Sequence, residues 1–435
     1  MRGYLAHFTA ILLATLLPAK AQDLAILTSF PERFSAEFVD LFADEFSGRD
    51  AAGGRAGDES TAESGHDPGR GIRVLNKNTV AALDEILRGN PRRFQIFWSS
   101  SPEAFEILRR ENAFAPEGVC GADGPPSVAP FAISAVGWAR RRDAEVFMPA
   151  EWNDLLDPSY GGKIAMARPS RSGTTHLMVE EILQVRGWDA GWAYFLELAG
   201  NLSTLTARSF GVPEGVIDRR FDIGFTVDFL AQSRAELLDF RYGRPLVLAP
   251  AQIGILKEVG DPAQACAFLR LILSREGQLM LVQPDIGRVP YDPAIREEVR
   301  NQLPDGIIQA LRLPWLDYDA RASADRFWAV NTLFDLTITE VLTERRDLWR
   351  RHHELRGRVP PERLNRVRRI LTEVPVSWDE ARDASLRIAG GMRGTALVTL
   401  GAAEREIVAN WRARVAAQLV AAERALAALE RPGGR

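Results

Sequence analysis

Residues 163–183 read KIAMARPSRSGTTHLMVEEIL, and this stretch decides the fold. The apolar run at 163–167 is typical of a buried strand, and the apolar spacing of 177–183 predicts a helix. The turn between them holds small hydroxyl residues, a glycine and an arginine. The first N–H groups of a helix have no partner inside it, and the helix dipole makes that end positive. The turn therefore suits phosphate or another oxyanion, although simple capping by Ser172 or Thr174 accounts for the same residues.

The same strand–turn–helix pattern recurs along the chain up to about residue 293. Further strands are predicted near 24–30, 72–75, 94–98, 133–138 and 221–228. This alternation favours an α/β fold with a largely parallel sheet. Residues 48–71 interrupt this alternation. They are rich in Gly, Ala, Ser, Asp and Glu and show no periodic spacing of apolar residues, which indicates a solvated insertion.

Three of the predicted strands end in clusters of hydroxyl side chains. Thr28 and Ser29 follow the first, residues 99–101 follow the second, and residues 170–175 follow the third. Ligands of open α/β sheets bind outside the carboxyl ends of the strands. One cluster is weak support because serine and threonine are common helix caps. Three clusters at equivalent places predict convergence on one polar ligand.

The first 21 residues have the features of a cleaved signal peptide. Arg2 supplies positive charge, residues 8–17 form an apolar core too short to span a membrane, and residues 19–21 (AKA) fit a cleavage site. We expect a mature chain that begins near Gln22 in the periplasm. The alternative is an uncleaved membrane anchor. No later run in the sequence is long and apolar enough to predict a transmembrane helix.

Charge and cysteine content narrow the class of protein. The formal net charge of −4 gives no support to a general nucleic-acid or membrane-surface role. Cys120 and Cys266 are the only cysteines. In an oxidising compartment they can pair, but Cys266 lies in an apolar helical pattern where a buried free thiol is an equal alternative.

Helical patterns dominate from about residue 293, and we assign 297–435 to a helical C-terminal extension. One long helix is predicted from Asp325 to Leu355, ending before Pro360 and Pro361. The last helix carries apolar residues at three- and four-residue steps, namely Val408, Trp411, Val415, Leu419, Ala422, Leu426 and Leu429. This stripe either packs on the protein itself or meets a partner. An arginine-rich run at 345–358 is either a solvated face or a surface for an acidic partner.

Several phrases of the sequence resemble the periplasmic solute-binding proteins of ABC transporters, the superfamily of ferric-iron, phosphonate and sugar-phosphate binders. They are LTSF at 27–30, FWSS at 97–100, WNDLLDPSYGGKI at 152–164, GWDAGW at 187–192 and LSREGQ at 273–278. A closer resemblance links PSRSGTTHLMVE at 169–180, GNL at 200–202, RSFGV at 208–212 and LTEVPV at 371–376 to the phosphoglycerate transport regulatory proteins.

The resemblance implies a two-lobed periplasmic binding protein fold of type II that closes on its ligand, with a helical C-terminal extension. Lobe one would hold residues 23–127 and 229–296, and lobe two residues 128–228. The closer family implies a protein that acts beside a membrane sensor kinase to induce a phosphoglycerate transporter and does not feed the permease.

Position in this fold selects the candidate ligand contacts. Those from lobe one are Thr28, Ser29, Ser99 and Ser100. Those from lobe two are Arg171, Ser172, Gly173, Thr174, Thr175, His176 and Arg208. Arg171 either binds phosphate or points to solvent, and Arg208 either binds the ligand or forms a structural ion pair. His176 either donates to phosphate when protonated or lies behind the contacting residues. Asp228 either accepts protons from hydroxyl or ammonium groups of the ligand or caps the next helix. Residues 225–228 carry no tyrosine, whereas ferric-iron binders of this superfamily have adjacent tyrosines near this strand end. We therefore expect no metal and no cofactor.

These observations predict a periplasmic protein that captures a phosphoglycerate-like phosphorylated metabolite and signals to a membrane sensor kinase controlling its uptake. The alternative is the substrate-binding component of an ABC transporter, delivering a phosphorylated or phosphonate solute or iron to a permease. Ser172, His176 and Asp228 are the residue types of a catalytic triad. No nucleophile elbow surrounds Ser172, so we do not expect an enzyme.

Overall fold

A computed structural model describes residues 24–51, 71–257, 260–312, 316–389 and 401–431. The expected signal peptide and most of the expected insertion at 48–71 lie outside these ranges. The strands are β1 (Leu24–Thr28), β2 (Ile72–Asn76), β3 (Ile96–Ser99), β4 (Val128–Ser134), β5 (Val136–Arg141), β6 (Ile164–Ala167), β7 (Leu202–Thr206), β8 (Ile223–Val227), β9 (Leu238–Tyr242), β10 (Val247–Ile255), β11 (Val289–Pro290) and β12 (Leu316–Asp317). The helices are α1 (Glu32–Ala51), α2 (Thr79–Leu87), α3 (Pro102–Arg110), α4 (Gly173–Arg186), α5 (Trp188–Leu198), α6 (Gly211–Ile217), α7 (Asp228–Gln232), α8 (Ala263–Leu273), α9 (Arg275–Met280), α10 (Pro293–Glu298), α11 (Asp305–Ala310), α12 (Ala320–Phe334), α13 (Leu342–Glu354), α14 (Pro361–Thr372), α15 (Trp378–Ala389) and α16 (Ala402–Glu430).

Two sheets form the cores of two lobes. The first runs β11-β4-β10-β3-β1-β2, with β12 added to β10, and the second runs β7-β6-β8-β5-β9. Strands of the strand–helix alternation pair in parallel, as β1 does with β2 and β3, and as β6 does with β7 and β8. β10 also pairs in parallel with β12, and the other pairs of β4, β5, β9, β10 and β11 are antiparallel. The expected α/β class is confirmed, but the sheets are mixed because the strands near the crossings run against their neighbours.

The chain changes sheet at two places, and both lie later than the expected lobe boundaries. The predicted strand at 133–138 is two strands, since β4 pairs with β10 in the first sheet and β5 pairs with β8 in the second. The first crossing is therefore Ala135, not residue 128. After residue 228 the chain still adds β9 to the second sheet. The second crossing is residues 243–246, which precede β10.

The C-terminal extension packs against both lobes. Its buried residues Val330, Leu333, Phe334 and Trp349 belong to the same apolar core as the second sheet. Six of the seven residues of the predicted stripe in α16 are buried, from Val408 to Leu426, so the stripe packs on the protein itself. Val299, Leu303 and Ile307 of the extension pack instead with Ile133 and Val289 of the first sheet. The extension is thus integrated into the cores of both lobes and is not a detachable appendage.

The predicted long helix from Asp325 to Leu355 is broken in the structure. α12 begins at Ala320, where the Asp319 carboxylate accepts N–H bonds from Arg321 and Ala322 at 3.0 Å. A π-helical turn, Asp335–Thr339, follows, and α13 starts only at Leu342. The Thr337 hydroxyl donates to the Leu333 carbonyl at 2.6 Å. Such bonds back to the preceding turn disturb a helix, and the β-branched residues around Thr337 weaken it further.

Cys120 and Cys266 form a disulfide across 146 residues, which decides the question that the sequence left open. Within the described ranges, the helices are all too short or too polar to cross a membrane.

Candidate functional site

The N-terminus of α4 meets lobe one. Ser172 caps the helix by accepting the Thr175 N–H at 3.2 Å. The Gly173 N–H donates to the Thr79 hydroxyl of lobe one at 3.3 Å. A Cβ on Gly173 would lie 2.6 Å from that hydroxyl oxygen and 2.9 Å from the Ser101 Cβ. Glycine is therefore required here because the two lobes touch at this residue.

The three predicted hydroxyl clusters converge in the structure. The Ser29 and Ser99 hydroxyls are hydrogen bonded at 2.8 Å, which joins the ends of β1 and β3. Ser101, two residues further, contacts the start of α4. The Thr28 hydroxyl donates to the Trp98 carbonyl at 2.9 Å and accepts the Phe30 N–H, so it stabilises the strand end itself.

Arg288 is a charged residue of the cleft that the sequence analysis missed. Its side chain is fully buried, and Nη2 donates to the Ser100 hydroxyl at 3.0 Å. Nε and Nη1 have no hydrogen-bond partner among the described residues. The guanidinium carbon lies 3.7–5.7 Å from the ring centroids of Phe30, Phe34, Phe131 and Phe229. Burial lowers the pKa of Arg288 to about 9, while the charge of Asp228 raises it, so the group stays charged at neutral pH.

Asp228 holds the first crossing between the lobes. Its carboxylate accepts the Ala135 N–H at 3.0 Å and the Phe229 N–H at 2.8 Å. Burial raises the pKa of Asp228 to about 7, against the lowering effect of these two N–H bonds and of Arg288. The nearby Glu181 is also buried, and burial together with the charge of Asp228 raises its pKa well above the usual value. Asp228 therefore has the local structural role that was the alternative to ligand binding.

His176 faces the extension and not the cleft, which corrects the expectation that it contacts ligand. Its side chain is fully buried, with Nδ1 2.9 Å from Asn331 Oδ1 and Nε2 3.0 Å from the Ser323 hydroxyl. The ring lies 4.3 Å from the Phe327 ring, centroid to centroid. Burial lowers the pKa of His176 to about 3, so the ring is neutral and supplies no positive charge to an anion.

The two remaining arginines of the predicted site lie at its edge. Arg171 is exposed. Arg208 donates to the Asn76 side chain of lobe one and stacks on Phe210 with its guanidinium carbon 4.8 Å from the ring centroid. Burial lowers the pKa of Arg208. Asn76 and Phe210 line a surface cavity of about 380 Å³ between the lobes, so both contacts of Arg208 lie in the wall of this cavity.

Helix α12 contacts both lobes beside the cleft. Arg326 forms a buried ion pair with Glu180 of α4, with the closest N···O distance 2.6 Å. Its neighbour Asp325 pairs with Arg110 of α3 in lobe one at 2.6 Å. Phe327 belongs to the apolar core of lobe one that contains Phe105. One helix of the extension therefore spans the junction that would move if the lobes separated.

Comparison with known proteins defines the class. A family model described as bacterial extracellular solute-binding protein matches residues 62–283. The chain belongs to this family of ABC-type periplasmic binding proteins, whose members bind solutes and are not enzymes.

Individual relatives agree with this assignment. The chain is 31% identical over 327 residues to the phosphoglycerate transport regulatory protein of Salmonella typhimurium, covering 72% of this chain and 81% of that protein. The fold matches the periplasmic binding protein AfuA of Actinobacillus pleuropneumoniae, solved with fructose-6-phosphate, with a TM-score of 0.59, 15% identity and coverage of 73% and 99%. It also matches the apo ferric ion-binding protein A of Pasteurella haemolytica with a TM-score of 0.54, 13% identity and coverage of 72% and 97%. The two-lobed fold and the resemblance to the regulatory family are thereby confirmed.

Proposed function

We propose that this protein captures a phosphoglycerate-like phosphorylated metabolite between its two lobes in the periplasm, after cleavage of a signal peptide. The observation that carries the proposal is the meeting of the α4 N-terminus with the serine-rich strand ends of lobe one. Backbone N–H groups and hydroxyls at a helix start form an anion site without needing a metal. The likeness to a phosphoglycerate transport regulatory protein favours a phosphate ester as the anion.

The proposed contacts are a subset of the residues predicted from sequence. Ser29, Ser99 and Ser100 serve from lobe one, Ser172, Gly173, Thr174 and Thr175 serve from lobe two, and Arg208, which contacts the cavity wall, completes the set. His176 leaves the set because both ring nitrogens bond to the extension. Thr28 also leaves the set because its hydroxyl bonds to the strand backbone. Arg171 leaves it because its side chain is exposed. Asp228 leaves it because its carboxylate bonds to Ala135 at the crossing between the lobes.

The strength of such a site is sufficient for a periplasmic binding protein. A hydrogen bond to a charged oxygen contributes about 1.5–3 kcal/mol net. Four or five of them, less the free-energy cost of ordering and closure, give roughly −8 kcal/mol, which corresponds to micromolar affinity.

We further propose that the partner is a membrane sensor kinase. The contacts of α12 with both lobes support this, because a helix that bridges them changes position when the cleft closes. A protein that only delivers solute to a permease has no evident need for such a helix. Crosslinking in membranes containing both partners tests the point, and capture of an ABC permease in place of a histidine kinase would favour the delivery role.

The ligand proposal is tested by isothermal titration calorimetry on the mature protein. We expect 3-phosphoglycerate to bind with micromolar affinity and glycerate, which lacks the phosphate, to bind at least about a hundredfold more weakly. Equal affinity for the two compounds would contradict a phosphate site. A thermal-shift screen of phosphorylated metabolites then ranks related ligands, since bound ligand stabilises the folded state.

A further inference from the structure

The Arg288 guanidinium is buried without a full set of hydrogen-bond acceptors. It is fully buried, yet only Nη2 has a protein acceptor, the Ser100 hydroxyl. Nε and Nη1 have none among the described residues. A buried donor without an acceptor destabilises the folded protein, and more strongly when the donor is charged. Such a group calls for a ligand or another acceptor beside it.

The rings around Arg288 fix the position of this charge. Phe229 lies closest, with its ring centroid 3.7 Å from the guanidinium carbon, and Phe30 and Phe34 lie at 4.4 and 4.9 Å. Aromatic faces attract a cation but accept no conventional hydrogen bond from its N–H edge. Among the described residues Asp228 makes no direct ion pair with Arg288. Its carboxylate accepts the backbone N–H groups of Ala135 and Phe229, and its charge acts on Arg288 only from a distance.

Arg288 and the start of α4 contact adjacent residues at the end of β3. Arg288 bonds to Ser100, whereas the start of α4 contacts Ser101. Consecutive Cα atoms are about 3.8 Å apart. Arg288 and the α4 N-terminus are therefore held at neighbouring positions of the strand end to which the ligand is assigned.

We propose that Arg288 binds the carboxylate of the ligand, so that the cleft selects a phosphorylated carboxylic acid over a phosphorylated polyol or sugar. This inference rests on the proposed function, since it needs the phosphate at the α4 N-terminus. The planar guanidinium presents parallel N–H donors that match the two oxygens of a carboxylate. Neutral hydroxyl groups in the same place would not supply paired anionic acceptors for Nε and Nη1.

The experiment compares two ligands that differ at this one group. 3-Phosphoglycerate carries the carboxylate, and glycerol 3-phosphate has a hydroxymethyl group there. Calorimetry at neutral pH is performed with the wild-type mature protein, Arg288→Gln, Arg288→Lys and the control Arg270→Gln, which removes an exposed arginine of the same lobe. Circular dichroism and thermal unfolding verify that each variant is folded.

We expect the wild type to bind 3-phosphoglycerate at least about tenfold more tightly than glycerol 3-phosphate. Arg288→Gln should remove this preference by weakening only 3-phosphoglycerate, and Arg270→Gln should keep it. Arg288→Lys keeps the buried positive charge but lacks the parallel N–H donors of the guanidinium, so it should retain part of the preference for 3-phosphoglycerate. This variant decides the point if Arg288→Gln does not fold.

Two results would overturn the inference while the proposed function stands. One is equal wild-type affinity for the two ligands, and the other is an equal loss of both in the Arg288 variants. Failure of both ligands to bind the wild type would instead overturn the proposed function, and this inference with it.

Discussion

His176 Nδ1 and Asn331 Oδ1 lie 2.9 Å apart, and this hydrogen bond ties the first turn of α4 to helix α12 of the extension. The same turn supplies Gly173 to the junction with lobe one. A displacement of α4 at the cleft is therefore transmitted directly to the extension. The histidine predicted as a ligand contact is better understood as the connection behind the site.

We expect His176 to make folding stability depend on pH. Burial lowers the pKa of His176 from 6.5 to about 3, so below pH 6.5 the unfolded chain takes up a proton that the folded protein does not. The contribution of His176 is complete above pH 6.5 and is lost as the pH falls towards 3. Urea denaturation at pH 7 and pH 4.5 should show that wild type loses about 2–3 kcal/mol more than His176→Gln.

The comparison of these two proteins isolates His176. Burial raises the pKa values of the Asp228 and Glu103 carboxyls to about 7. These two groups act in the opposite direction, because their protonation stabilises the folded protein as the pH falls. Both proteins contain them, so their effect cancels in the difference. Equal losses for wild type and variant would refute the assignment of a neutral His176.

Gly173→Ala should keep the lobes apart. The new Cβ would approach Thr79 and Ser101 of lobe one to 2.6 and 2.9 Å, which is closer than atoms pack. Overpacking of this kind costs about 1–3 kcal/mol, so affinity for 3-phosphoglycerate should fall roughly tenfold or more. Small-angle scattering with saturating ligand should give a larger radius of gyration than for wild type. Gly211→Ala is the matched control, because its Cβ meets only Thr206 at 3.9 Å.

Substitutions of Thr174 and Ser172 should distinguish the loss of ligand binding from the loss of helix capping. Ser172 caps α4, so Ser172→Ala should lose about 1 kcal/mol of stability as well as ligand affinity. Thr174 is not the capping residue, and Thr174→Ala should weaken binding without altering the melting temperature. The double variant should lose about 2–4 kcal/mol of binding free energy. Calorimetry and thermal unfolding measure the two effects, and unchanged affinity in the double variant would count against the site.

Removal of residues 325–435 should unfold lobe two and not merely abolish signalling. Leu333, Phe334 and Trp349 are buried in the core of that lobe, and the Trp349 indole donates to the Leu196 carbonyl at 2.8 Å. Loss of so much apolar contact exceeds the marginal stability of a typical domain. Asp325→Ala, which removes one partly exposed ion pair with Arg110, should cost under about 1 kcal/mol. Cooperative unfolding of the truncated protein at the wild-type temperature would contradict this view.

The sequence predicted features that depend on neighbouring residues. Hydroxyl clusters at strand ends and the apolar stripe of α16 are local patterns, and the structure contains both. Arg288 was missed because its partner Ser100 is 188 residues away and an isolated arginine carries no pattern. The first crossing was misplaced because apolar residues continue through Ala135 without a break, although the sheet changes there.

The Cys120–Cys266 bridge encloses every strand of the second sheet, since β5 to β9 all lie between the two cysteines. On the proposed route of export from the N-terminus, Cys120 would emerge first and Cys266 would follow 146 residues later. The bond would then form only after the residues of β5 to β9 had crossed the membrane. Oxidation then links Cys120 to Cys266 of α8, and both cysteines pack on the core of lobe one. The bond therefore closes a covalent loop, anchored in lobe one, around all five strands of lobe two.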